Sequence, residues 1–189
     1  MANFLTTQIG KMVMESSLTF MFAALLMVFS LFTSPTSGVT QETLASICSQ
    51  TQNQEICEGI LESDPGTTSA DLHGLSLISI NLTMKQGSSN YDTFTKFMDN
   101  STDTALKESF RNCVSLYNSI MEMLKVAYQL SEKKEYESIT QPGESQTLAY
   151  NCANGLPIDS PTDGISRDMI LTCETSASVN QYIVGVSLK

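Results

Sequence analysis

A single histidine, His73, serves all 189 residues, and that scarcity removes most enzymatic chemistry from consideration. A hydrolytic triad needs a nucleophile whose proton is taken by an oriented base. The closest carboxylate, Asp71, lies two positions away, and residues two apart face different sides of a helix. Zinc needs three or four convergent ligands, and no second histidine exists to join His73. No glycine-rich phosphate loop is present either. Glu132, Glu135 and Glu137 have Lys133 and Lys134 interleaved among them, which describes a solvated helix end. The chain therefore reads as a protein without catalytic residues, metal or cofactor. Basic residues are also few: Lys and Arg number 10 against 20 Asp and Glu, a net charge of −10. That balance excludes a nucleic-acid binder, which needs basic clusters to displace counterions from phosphates. It permits a basic partner, whose approach a negative field accelerates, and it equally confers solubility. Strand-like alternation with hairpin turns, internal repeats and low-complexity tracts are all missing.

The longest uncharged apolar run, Leu18 to Phe32, is only 15 residues, whereas crossing a membrane takes about 20. Lys11 precedes it, and small or turn-forming residues from Thr33 to Gly38 follow. A charged lead, a short apolar middle and a small-residue exit describe a secretory signal peptide. Thr36 and Gly38 are small enough to flank cleavage near Val39, so residues 1–38 are expected to form the leader and 39–189 one domain. The leader holds one base, Lys11, and one acid, Glu15, so its removal leaves the charge at −10. A chain of the remaining length can bury a real core.

What is abundant is helical periodicity. From Thr102 to Leu130, the residues Leu106, Phe110, Cys113, Tyr117, Ile120, Leu124 and Ala127 recur at steps of four and three, the seam of a helix packed along its neighbours. Ser101 or Thr102 suits its N-cap, and Asp103 the positive helix end. A second helix is expected over Ser69–Gln86, with Leu72, Leu75, Ile78 or Ser79, and Leu82 inward. Gly87-Ser88-Ser89-Asn90 should break it before helix resumes at Tyr91–Asn100. A last helix, Ile165–Leu188, repeats the rhythm through Met169, Thr172, Ser176, Val179, Ile183 and Val186. Between them, Lys133–Ile139 reads as helix, Pro142-Gly143 as an interruption, Ser145–Cys152 as resumed helix, and Asn154–Gly164 as a loop.

Secretion makes disulfides chemically accessible. Five cysteines, Cys48, Cys57, Cys113, Cys152 and Cys173, allow two bridges and one free thiol in 15 arrangements. Midway between Cys113 and Cys152 lies Glu132-Lys133. A chain reversal there would set the two opposite each other on antiparallel helices, which favours that pair without excluding the others. Asn81, before Leu82-Thr83, and Asn100, before Ser101-Thr102, match the glycosylation acceptor pattern.

Taken together, several features resemble the plant invertase and pectin methylesterase inhibitors across the whole mature chain. They are the leader, the stretch SICSQTQNQEIC with Thr51 between Cys48 and Cys57, and Leu61 and Pro65 beyond it. The segment RNCVSLYNSIMEMLKVA, with Tyr117 four residues after Cys113, continues the likeness. So do EYESI ahead of Cys152, and Ser160-Pro161 before an apolar last helix. The resemblance implies an all-α fold, an up-down-up-down four-helix bundle carrying an N-terminal helical hairpin. It implies bridges Cys48–Cys57 and Cys113–Cys152, with Cys173 free. Closing those loops would contribute about 3 and about 4 kcal/mol respectively. It further implies a secreted inhibitor of the apoplast or cell wall, the vacuole being the alternative. Such an inhibitor forms a one-to-one complex over the active-site cleft of a pectin methylesterase or an acid invertase; the alternative is a secreted helical binding protein that uses the same scaffold for another partner. Invertase inhibitors can carry Pro-Lys-Phe after the long bridged helix; here that place reads Lys134-Glu135-Tyr136, which keeps the aromatic alone. The departure favours pectin methylesterase as the target. By position, Lys134, Glu135 and Tyr136 are the expected edge of the target contact.

Overall fold

The structure, a computed structural model, describes residues 38–188 apart from 159, 161 and 163. Residues 1–37 of the expected leader therefore lie outside the described residues. Among the described residues six helices follow in order: α1 (Gln41–Cys48), α2 (Gln54–Glu62), α3 (Leu72–Asn100), α4 (Thr104–Glu132), α5 (Gln141–Gly155) and α6 (Ile165–Ser187). Single 3-10 turns occupy Thr67–Ser69 and Tyr136–Ser138, and the described residues contain no strand. Helices α3 to α6 form an up-down-up-down bundle in which α3 and α5 each pack against both α4 and α6. The short hairpin α1–α2 lies mainly on α6.

Local chemistry starts four of these helices in the same way. Thr40, Asn53, Asp71 and Asp103 stand at the N-caps of α1 to α4 in extended backbone. Their side chains accept from the amides of Thr43, Ile56, Gly74 and Leu106 at 3.2, 3.0, 2.7 and 2.8 Å. Each such cap stabilises by about 1 kcal/mol. Asp103 caps α4, in place of the expected Ser101 or Thr102. Surface ion pairs add little: Arg111–Glu108 and Lys125–Glu122 each lie exposed within one helix, where screening and side-chain entropy cancel most of the attraction.

The α4 seam packs as its spacing indicates, with Phe110, Cys113, Tyr117, Ile120, Leu124 and Ala127 buried and Leu106 partly so. On α6 the residues Met169, Thr172, Ser176, Val179 and Ile183 are buried, while Val186 is exposed near the helix end.

Two expected interruptions are absent. Helix α3 runs unbroken through Gly87-Ser88-Ser89-Asn90. Gly87 sits where α3 meets α4 and α6: a Cβ there would stand 2.8 Å from Met121 Sδ and 3.6 Å from Met169 Cε. Asn90 is buried, its amide donating to Tyr117 Oη at 3.1 Å and to the Ile165 carbonyl at 2.9 Å. Ser88 and Ser89 take the solvent side. Tertiary packing thus overrides the weak helix propensity of this tetrapeptide. Pro142 does not interrupt a helix but opens one. It lies in the first turn of α5, where its missing N–H has no carbonyl to reach. The helix expected over Lys133–Ile139 is instead a turn followed by the 3-10 element.

The core has two apolar ends. At one, Phe94, Phe110 and Tyr117 stack around the Cys113–Cys152 bridge, with ring centroids of Phe94 and Tyr117 5.2 Å apart. At the other, Leu44, Ile47, Leu61, Leu75, Val179 and Ile183 enclose the Cys48–Cys57 bridge. Between them, beside a small apolar cluster of Ile80, Ala127 and Ile139, the helices touch through hydroxyls. Ser131 donates to Ser76 at 2.8 Å, Ser79 meets Ser176 at 3.4 Å, and Thr83 donates to the Ser79 and Thr172 carbonyls at 2.9 and 3.1 Å. Cys173 is free and fully buried, and its desolvation raises the thiol far above its ordinary pKa, leaving it unreactive.

Candidate functional site

The expected contact residues fall in the connection from α4 to α5, residues 133–140. Helix α4 ends in a Schellman-type cap: the amides of Lys133, Lys134 and Glu135 donate to the carbonyls of Gln129, Ser131 and Leu130. Lys134 takes a left-handed backbone conformation, φ 61°, which turns the chain out of the helix axis. The 3-10 turn follows, closed by the Ser138 amide on the Glu135 carbonyl at 3.0 Å and the Ile139 amide on the Tyr136 carbonyl at 3.1 Å. Lys134, Glu135, Glu137 and Ser138 are exposed, and with Tyr136 and with Val184 and Ser187 of α6 they line a shallow groove of about 460 Å³.

Tyr136 behaves differently from its neighbours. It is half-buried: it forms part of the wall of the same groove, while its ring packs against the apolar end around Leu75 and Val179 and against Ile80, Ala127 and Ile139. Its hydroxyl pairs with His73 Nδ1 at 2.8 Å, and the two rings meet edge-on. Burial, and secondarily the Asp71 carboxylate, push the Tyr136 phenol above its ordinary range. The protein's one histidine is thus engaged by a tyrosine 63 positions away, while Asp71 caps α3. From the other side Asn180 of α6, itself buried, donates through Nδ2 to the Tyr136 carbonyl at 3.0 Å and to the Ile139 carbonyl at 3.3 Å. The sequence reading missed Asn180. Its only signal was an amide-bearing residue beside the apolar seam position Val179.

The remaining expectations fall elsewhere. Cys48 is bonded to Cys57 and Cys113 to Cys152, with Cα–Cα distances of 5.5 and 4.8 Å. Asn81 is half-buried in the middle of α3, and its partner Thr83 is buried; Asn100 is exposed at the C-terminal end of α3. A second cleft, also about 460 Å³, lies at the α5–α6 junction beside Tyr150, Ile158 and Arg167. Among the described residues no group of three or more His, Cys, Asp or Glu side chains converges as metal ligands would. No described helix is long and apolar enough to cross a membrane.

What this arrangement offers is a stiff, cross-linked bundle with a tethered surface turn. A Platanus orientalis protein, provisionally named as an invertase inhibitor, is 30% identical over 136 residues, covering 69% of this chain and 80% of the relative. An Actinidia deliciosa pectinesterase inhibitor is 32% identical over 124 residues, covering 63% of this chain and 66% of the relative. Among solved structures, a mutant form of a pectin methylesterase inhibitor from Arabidopsis superposes with a TM-score of 0.65 at 17% identity. That match spans 73% of this chain and 95% of the other, and at such identity it speaks for the fold. The family model described as plant invertase/pectin methylesterase inhibitor matches residues 42–183. These findings place the chain in the plant invertase/pectin methylesterase inhibitor family, a family of proteins that inhibit cell-wall enzymes and are not themselves catalysts.

Proposed function

We propose that this chain is a secreted inhibitor that docks one-to-one over the active-site cleft of a pectin methylesterase, with the exposed part of the Lys134–Ser138 turn at an edge of the contact. The observation that carries the choice of target is the composition of that turn. It holds no proline, and it presents Lys134, Glu135 and Glu137 outward beside a half-buried Tyr136 whose hydroxyl is held by His73, unlike the Pro-Lys-Phe element that invertase inhibitors can carry. A bundle braced by two disulfides loses little conformational entropy on docking, so more of its contact energy appears as affinity. Its net charge of −10 would speed encounter with a basic target. Acid invertase is the second reading, favoured by the likeness to the Platanus protein. Of the two acceptor asparagines, Asn100 is the better placed to carry sugar, being exposed at a helix end.

The test is a pair of assays with the purified mature chain at mildly acidic pH: methanol release by a pectin methylesterase and sucrose hydrolysis by an acid invertase. Stoichiometric loss of methanol release with sucrose hydrolysis intact is the expected result. The reverse pattern transfers the reading to invertase, and full activity of both enzymes in excess protein removes it.

A further inference from the structure

We propose that Asn180 and His73 are positioning residues that hold the Lys134–Ser138 turn in the shape it presents to a target. The proposal rests on the reading of that turn as a contact edge. Two features separate the pair from ordinary packing. First, they grip the same short element from two different helices at three atoms: the Tyr136 hydroxyl from α3, and the Tyr136 and Ile139 carbonyls from α6. The turn's internal bonds are only those of Ser138 to Glu135 and Ile139 to Tyr136. A single 3-10 turn so sparsely bonded does not hold its shape unaided.

Second, Asn180 is an expensive choice for a buried site. Because both groups facing its amide nitrogen are carbonyls, its orientation is fixed, and Oδ1 is left buried without a partner. An apolar side chain of equal size would avoid that orphan acceptor but would leave the Ile139 carbonyl without its donor and the Tyr136 carbonyl with the Ile139 amide alone. Retaining asparagine favours the geometry of the turn over the comfort of the core. The consequence for recognition is direct. With the Tyr136 ring and its carbonyl pinned, Lys134, Glu135 and Glu137 project from a fixed base, and docking need not order them.

The experiment compares the full mature chain with Asn180→Leu, which is close to isosteric and lacks the donor, with His73→Phe, which removes the hydroxyl's partner, and with His73→Gln, which restores one. Two readouts are taken under native conditions: the rate of trypsin cleavage after Lys133 and Lys134, and inhibition of whichever of the two enzymes the wild type inhibits. Cleavage is expected to rise about tenfold in Asn180→Leu and His73→Phe, as it does when a segment opens locally. Inhibition should weaken about tenfold through loss of a pre-ordered contact, and His73→Gln should recover most of both. Unchanged cleavage in both variants overturns the proposal, because the residues then do not hold the turn. Faster cleavage with full inhibition overturns it too, because the held shape is then irrelevant to recognition. If Asn180→Leu does not fold, His73→Phe, at a half-buried position in the first turn of α3, decides the same comparison. Should the wild type inhibit neither enzyme, the target reading fails by itself, and the cleavage rates still decide whether these two residues hold the turn.

Discussion

The aromatic end of the bundle and its hydroxyl-lined middle are both buried, yet they are held by different physics. Around Phe94, Phe110 and Tyr117 the helices are kept apart by rings and joined by apolar area. Around Ser76, Ser79, Thr83, Ser131, Thr172 and Ser176 they meet through side chains too small to contribute much area, with hydroxyls satisfied by a neighbour or by the carbonyls of their own or an adjacent helix. The first region derives its stability from burial. The second derives closeness and register from small side chains, at the risk of stranding a polar atom if one member is lost.

The sharpest way to break this comparison is to empty the aromatic end. Phe94 is fully buried between Phe110 and Tyr117, and the Cys113–Cys152 bridge ties the helices opposite it, so the cavity cannot collapse. Phe94→Ala is expected to cost about 5 kcal/mol, the upper end for such a truncation. Urea unfolding would measure it, and a loss near 1 kcal/mol would mean that the rings do not carry that end.

Next in size are the bridges. All four bonded cysteines are buried to nearly the same extent, so replacing each pair by alanine removes similar packing. What differs is the loop closed, with separations of 9 and 39 residues. Removing Cys113–Cys152 should cost about 4 kcal/mol and removing Cys48–Cys57 about 3 in the chain-entropy account. A larger loss from the hairpin bridge would show that docking of α1–α2 on α6, and not loop entropy, sets the scale.

The hydroxyl seam should respond on a smaller scale and with a particular sign. Ser76→Ala alone strands the Ser131 hydroxyl that donates to it and is expected to cost about 1–2 kcal/mol. Adding Ser131→Ala should recover part of that loss, because no donor then remains to be satisfied. Simple additivity of the two single losses would show that the hydroxyls act independently.

The same contrast explains what could be read from the chain beforehand. The α4 seam was legible because large apolar residues at four-three spacing have one plausible use. The unbroken course of α3 was not: Gly87 looks like a breaker until Met121 and Met169 are seen pressing on it, and Asn90 until Tyr117 and Ile165 are found as its partners. Serine and threonine carry no sign of their own of whether they face water or another helix: the rhythm of their apolar neighbours placed Ser79 and Ser176 inward, but not against each other, and the Ser76–Ser131 meeting was invisible. At the candidate site, position marked out Lys134, Glu135 and Tyr136. The partners of the Tyr136 hydroxyl and carbonyl are His73 and Asn180, which lie 63 residues before it and 44 residues after it. No local pattern encodes a separation of that kind.

Tyr117 is where the two regions overlap, a hydroxyl within the aromatic end, and it yields the smallest effect and the finest test. Its ring is fully buried, and its oxygen donates to Ser166 Oγ at 3.3 Å and accepts from Asn90 at 3.1 Å. Burial raises its pKa, and the hydrogen bonds with Ser166 and Asn90 offset only part of that rise. Below the ordinary phenol value of about 10, native and unfolded chains both keep the proton and this group adds no pH dependence. Above it the unfolded chain releases the proton while the native one still holds it, so stability falls as pH rises. Tyr117→Phe cannot ionise. At neutral pH it should cost about 1 kcal/mol for the lost hydrogen bonds, since Asn90 keeps the Ile165 carbonyl. As pH climbs beyond about 10, that deficit should shrink and then reverse, because only the wild type carries the ionisation penalty. Unfolding curves for the two proteins that stay parallel from neutral to alkaline pH would mean that the Tyr117 hydroxyl reaches water in the native state, and that the aromatic end is more open than its packing indicates.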